Sequence, residues 1–186
     1  MNLLQGSARW LLKLMGWKLI DLAQRPAKAV VIAYPHTSNW DFPLTLLALA
    51  ALPFRARWVG KDTLFRGALG PIMRALGGIA VNRRERTGFV DRLAEEFLNR
   101  DNFYVVIATE GTRSRQAGWK SGFYRIAIAA GVPVIMAVVD YPGKRLGLLS
   151  CIGLSGDEDA DMAKIASCYA GSRGFHHENA SPIRLL

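Results

Sequence analysis

Cysteine, histidine and acidic residues are all scarce in this chain. Its 186 residues hold two cysteines, Cys151 and Cys168, 17 positions apart. That is no metal-ligand spacing and too few to staple a fold, so both read as buried or incidental thiols in a reducing compartment. Three histidines occur. His36 is flanked by structured sequence, while His176 and His177 stand together near the C-terminus, where "HHE" lacks the further ligands a metal would need. No metal site and no cofactor is expected. No run of 18 apolar residues occurs, so no transmembrane helix is expected. The first residues lack a small-residue cleavage site after an unbroken apolar core, so no signal peptide is expected and "NAS" at 179–181 has no secretory context as a glycosylation acceptor. Acids number 15 against 24 lysines and arginines, a formal net charge of +9. That excess favours anionic partners: acidic lipid headgroups, phosphorylated metabolites, nucleic acid or an acidic carrier protein. Repeats, low-complexity stretches and linker-like breaks are missing too, which points to a single domain over 1–186.

What is present is an alternation of apolar runs and helical periods. "KAVVIAY" (28–34), "RARWVG" (55–60), "GIAVN" (78–82), "FYVVIA" (103–108) and "VPVIMAVVD" (132–140) read as strands. Between them, "LTLLALAAL" (44–52) reads as a buried helix, and "LFRGALGPIMRALG" (64–77) as a helix interrupted at Pro71. In "TGFVDRLAEEFLNR" (87–100) the series Phe89, Leu93, Phe97 and Val90, Ala94, Leu98 repeat at helical spacing. "FYRIAIAA" (123–130) is a helix closed by Gly131. The turn signal "YPGK" (141–144) predicts an antiparallel return along "RLGLLSC" (145–151), and "DEDADMAKIASCYA" (157–170) is a last helix with acids in its first turn. The fold class expected is α/β: one mixed, mostly parallel sheet with helices on both faces.

The N-terminus adds an amphipathic helix. Over residues 1–23, Leu3, Leu4, Leu11, Leu14, Met15 and Ile20 alternate with Arg9, Lys13 and Lys18, and a helix would bring Trp10 and Trp17, two turns apart, to one face. Tryptophan, leucine and lysine in that arrangement suit a helix lying in a membrane interface, and an anionic membrane surface is an expected partner. A first helix packed on the core with its cations in water is the competing expectation.

Two polar stretches carry candidate chemistry. In "AYPHTSNWDFPLTLL" (33–47), His36 and Asp41 are five apart, which on one helix would set them about 140° apart. Pro35 breaks the chain between strand and helix, so His36 can sit in the turn and fold back onto an aspartate at the helix start. A carboxylate on one ring nitrogen fixes the tautomer and leaves the other to take a proton from a substrate hydroxyl. Asp41 is equally accounted for by helix capping, either as the third residue of a box "SNWD" opened by Ser38 or as the cap of a helix starting at Phe42. In the second stretch, "ATEGTRSR" (108–115), a strand end, a glycine and two arginines make a plausible anion site at the carboxyl edge of a sheet. A solvated loop has the same composition.

Taken together and in order, His-x4-Asp at 36–41, "GGIAVNRR" at 77–84, "EGTRS" at 110–114 and "GVPVIMAVV" at 131–139 resemble four blocks of the glycerolipid acyltransferase family, the lysophosphatidic acid acyltransferases and their relatives. The resemblance covers residues 28–140, the motif-bearing core. It implies acyl transfer from a thioester, acyl-CoA or acyl carrier protein, to a hydroxyl of a lysolipid acceptor such as 1-acylglycerol-3-phosphate. His36 would be the general base and Asp41 its orienting partner. Glu110, Gly111, Thr112, Arg113 and Ser114 would shape the acceptor site, with Arg113 and Arg83 on its phosphate. An enzyme of that kind would work peripherally on the cytoplasmic face of the membrane. Asn82 stands where the family often has an acid, and the last block runs on without a second proline; both bear on which acceptor is used. A different lipid or non-glycerol acceptor, a hydrolase using the same His–Asp pair on a thioester or lipid ester, and a non-catalytic module for anionic lipid remain open at this point. Nucleic acid is not an expected partner, since the arginines fall at strand ends and follow no recognised binding motif.

Overall fold

In the computed structural model, which describes residues 3–82 and 88–186, the apolar runs pair edge to edge into one seven-stranded sheet. The strands are β1 (Lys18–Ile20), β2 (Lys28–Tyr34), β3 (Arg57–Lys61), β4 (Gly78–Val81), β5 (Phe103–Ala108), β6 (Val134–Asp140) and β7 (Arg145–Ile152). Their order across the sheet is β1-β7-β6-β2-β5-β3-β4. Every adjacent pair is parallel except β6 and β7, which the tight turn after Asp140 joins as an antiparallel hairpin. The expected mixed, mostly parallel α/β sheet is what forms.

The helices are α1 (Leu3–Leu14), α2 (Asp41–Ala51), α3 (Leu69–Ala75), α4 (Phe89–Leu98), α5 (Gly122–Ala130) and α6 (Glu158–Cys168). Alternation along the strands sorts them. Ala29 and Val31 of β2, Tyr104 and Val106 of β5 and Ile135 of β6 pack on one face against Leu52 beyond α2, Met73 of α3 and Phe65, which precedes α3. Val30, Ile32, Val105, Val134 and Met136 point the other way, onto Leu93 and Phe97 of α4, Phe123 and Ile126 of α5 and Ile165 of α6. Strands buried on both faces explain why these segments are continuously apolar. The α1 helix lies on α2 through Ala8 and Leu12, over Val139 and Leu146.

Two expectations are corrected. A helix over 1–23 does not form: α1 ends at Leu14, Gly16 turns the chain at φ 78°, and Lys18–Ile20 becomes the edge strand β1 beside β7. Trp10 and Trp17 therefore share no face. Trp10 is exposed, while Trp17 is buried with its ring edge on Tyr141. The edge pairing needs Gly147, since a Cβ there would lie 2.0 Å from the Ile20 carbonyl oxygen. The second correction concerns 64–77. Pro71 does not interrupt a helix; it sits in the first turn of α3, where a missing N–H costs nothing, after a short 3-10 turn at Asp62–Phe65.

Candidate active site

The site follows from strand register. Ala33 of β2 pairs with Ala108 of β5, so the two strands end within one residue of each other, and the residues two beyond each end, His36 beyond Tyr34 and Glu110 beyond Ala108, are brought together. The His36 backbone N–H donates to Glu110 Oε2 at 2.6 Å across 74 positions of sequence. From β2 the chain leaves through α2 on one face, and from β5 through α5 on the other. Ligand crevices in open α/β sheets open at such a divergence, outside the carboxyl ends of the strands.

His36 follows Pro35, whose bond to Tyr34 is cis, and its Nδ1 lies 3.2 Å from Asp41 Oδ2. The same Asp41 oxygen accepts the Thr37 and Ser38 backbone N–H groups, each at 2.8 Å, and Oδ1 accepts the Tyr141 hydroxyl at 2.8 Å. Ser38 Oγ in turn accepts the Trp40 N–H at 3.2 Å. The helix-cap expectation is corrected: α2 starts at Asp41 with Trp40 at its N-cap and no side-chain cap bond, and the Asp41 carboxylate holds the turn before the helix together with the histidine ring. Asp41 is almost fully buried. Burial alone raises its pKa, but the hydrogen bonds from His36, Ser38 and Tyr141 outweigh it and hold the carboxyl below its ordinary value. Asp41 is thus a fixed negative charge behind an imidazole that keeps 23% of its side-chain surface exposed. The same contact pushes the Tyr141 phenol well up, through burial first and the Asp41 hydrogen bond second.

Glu110 is 1% exposed. Besides the His36 N–H it accepts the Ser181 N–H at Oε1, 2.8 Å away. Burial raises its pKa, against the opposing bonds from Ser181 and His36. Its part is internal: it ties the histidine turn to the C-terminal segment. Gly111 turns the chain at φ 69°, and Arg113 and Ser114 are exposed on the arm that follows, with Thr112 half-buried. Arg83 lies outside the described residues. The strand before it, β4, is three places from β2, about 14 Å at ordinary strand spacing.

Three contributors were not legible in sequence. Tyr141 is placed by β6 lying next to β2. Thr37 is anchored by its hydroxyl, which accepts the His176 N–H at 3.2 Å. Ser181 comes from a tail that runs back over the strand ends, bridging Leu185 to Trp119 and accepting the Gln116 N–H at Ser181 Oγ. Tyr141 carried a signal, being the first residue past a predicted strand; Ser181 carried none. Among the described residues no group of His, Cys, Asp and Glu could hold a metal ion.

A buried aspartate behind a turn histidine, at the carboxyl end of a mostly parallel sheet, marks an α/β fold with a candidate site outside its strand ends. Comparison narrows it: the acyltransferase family model matches residues 17–140, and the chain belongs to that family. A 1-acyl-sn-glycerol-3-phosphate acyltransferase of Haemophilus influenzae is 30% identical over 154 residues, 76% of this chain and 62% of the relative. One of Escherichia coli is 30% identical over 133 residues, 68% of this chain and 52% of the relative. The chain thus spans little more than half the length of these curated relatives. The solved structure of the 1-acyl-sn-glycerophosphate acyltransferase PlsC from Thermotoga maritima shares the fold, with a TM-score of 0.60 at 16% identity, over 90% of this chain and 76% of that one.

Proposed function

We propose that this chain is an O-acyltransferase that moves a fatty acyl group from a thioester, acyl-CoA or acyl carrier protein, to the free hydroxyl of a lysophospholipid-type acceptor, with 1-acylglycerol-3-phosphate the first candidate. The observation that carries the proposal is His36 Nδ1 held 3.2 Å from a buried, ionised Asp41. With Nδ1 committed, Nε2 takes the acceptor's hydroxyl proton as that oxygen attacks the thioester carbonyl. The C–S bond then breaks, and the leaving thiolate recovers the proton from the imidazolium. Asp41 stabilises the imidazolium throughout. A thioester is already activated, so this route calls for no metal or covalent enzyme intermediate. The exposed Arg113 offers a planar fork for the acceptor's phosphate. Work on a lipid acceptor suits a peripheral position on the cytoplasmic face of an anionic membrane.

The test is to incubate the protein with a long-chain acyl thioester and a panel of lysolipids. A diacyl product is expected with 1-acylglycerol-3-phosphate. Free fatty acid alone would make the chain a hydrolase, and no turnover of either kind would sink the proposal. His36→Ala should cost roughly 10² to 10⁴-fold in kcat, the usual worth of a general base, with the chain still folded at the assay temperature.

A further inference from the structure

The helices on the two faces of the sheet differ in chemistry. On one side, α4 carries Asp91, Arg92, Glu95 and Glu96, and α6 opens with Glu158, Asp159 and Asp161. The exposed large apolar residues of those helices and α5 are single, Leu98 and Ile128. On the other side, the chain from Phe42 to Phe54 holds no charged residue at all, although α2 is only part-buried, with Leu46, Leu47 and Ala50 half-exposed. At 11 residues α2 is far too short to span a bilayer, and among the described residues no helix is long and apolar enough to do so.

Helices α1 and α3 flank α2 on that side. α1 lies over β6 and β7, and α3 follows β3 toward the far edge. Each buries one stripe and leaves another in solvent. On α1, Ala8 and Leu12 are buried while Trp10 is 65% exposed beside Leu11 and Leu14. On α3, Gly70 is buried and Met73 packs on the core, while Leu69, Ile72 and Leu76 are 62%, 51% and 45% exposed. Exposed cations lie on or beside both helices: Arg9, whose Nε donates to the Ala51 carbonyl, and Lys13 on α1, and Lys61, Arg74 and Arg66, the last paired with Asp62, around α3. Trp40, 66% exposed at the start of α2, stands next to Asp41. Apolar side chains ringed by cations are complementary to a leaflet with acyl chains beneath anionic headgroups.

We propose that the whole α1–α2–α3 face seats on an anionic lipid leaflet, with α3 as a second contact through Leu69, Ile72 and Leu76 opposite the contact made by α1. Two contacts on either side of α2 fix the orientation of the sheet, and they set the end of α2 that carries Asp41 and Trp40 at the lipid surface. A single N-terminal helix would leave the body free to swing. The lipid acceptor is taken from the function proposed above, but the contact is measured without any substrate.

The experiment compares Ile72→Glu/Leu76→Glu with Ile128→Glu, on the opposite face, for cosedimentation with vesicles of phosphatidylglycerol and phosphatidylcholine. The α3 pair should lower the partition coefficient about tenfold or more, and Ile128→Glu should leave it within about twofold, given the apolar area each removes from the leaflet. As a second measurement independent of those substitutions, an environment-sensitive dye is attached at Ile72→Cys or Ile128→Cys, with the unsubstituted chain as the labelling blank. Vesicles should shift its emission to the blue at 72 and not at 128. Unchanged partitioning of the α3 pair, or no shift at 72, would overturn the proposal and leave α1 as the sole contact. A chain that seats through α3 yet transfers no acyl group would refute the proposed function while leaving this inference standing.

Discussion

Four groups converge on the Asp41 carboxylate: the His36 ring, the Thr37 and Ser38 N–H groups and the Tyr141 hydroxyl. Because its folded pKa lies below its ordinary value, the stabilisation it contributes is fully present above about pH 3.9, the unfolded value, and is lost as pH falls through the folded pKa. Tyr141 shares in that stabilisation only while Asp41 is ionised. Tyr141→Phe keeps the ring that stacks edge-on with Trp17 and Phe175, so it isolates the hydroxyl. A hydrogen bond to a charge is worth about 1.5–3 kcal/mol. The variant's melting temperature at pH 7 should therefore fall by about 3–10 °C, and the gap to the parent chain should close on acidification below the folded pKa of Asp41. A gap independent of pH would assign Tyr141 to packing alone.

At the scale of elements, α1 separates two jobs within twelve residues. Leu12 is 1% exposed between α2 and the sheet, whereas Trp10, two positions earlier, faces solvent. Leu12→Ala should destabilise by about 2–5 kcal/mol, as a buried leucine does when a cavity replaces it. Trp10→Ala should stay within about 0.5 kcal/mol in the melt while weakening vesicle binding. Denaturant melts beside vesicle cosedimentation read both. Equal destabilisation by the two would mean that Trp10 is seated against protein and not free for lipid. Core packing, posed as the rival of interfacial contact, takes only the Ala8 and Leu12 stripe and leaves Trp10 in solvent, as the proposed leaflet contact requires.

For the whole molecule, the last residues close the site from outside the motif-bearing core. Ser181 holds Glu110, and Leu185 and Leu186 cover Trp119, which is fully buried. Deleting residues 180–186 should leave a buried carboxylate one donor short and uncover an indole. Each such loss is worth about 1–3 kcal/mol, so the melting temperature should drop by at least about 5 °C. Activity should fall with it, because the Glu110 bond to the His36 N–H loses its counterpart. A truncated chain that melts and turns over like the parent would show that the tail is a passenger.

The sequence by itself determined every strand but β1, most helices and the hairpin, because runs buried on both faces and stripes buried on one follow from local periodicity. The antiparallel return after "YPGK" forms as Arg145–Ile152, and the helix closed by Gly131 ends there with φ 60°. His36 and Asp41 were legible because Pro35 ends the strand just before the histidine and a helix starts near the aspartate five positions on. Only the tertiary structure decided that Trp17 leaves the helix for the core, since edge pairing with β7 outweighs a helical pattern that ends at a glycine. It also brought Glu110, Tyr141 and Ser181 to the histidine turn. Those meetings depend on which strands lie side by side and in what register, and a chain read one residue after another carries no local signal for contacts across 74 or 100 positions.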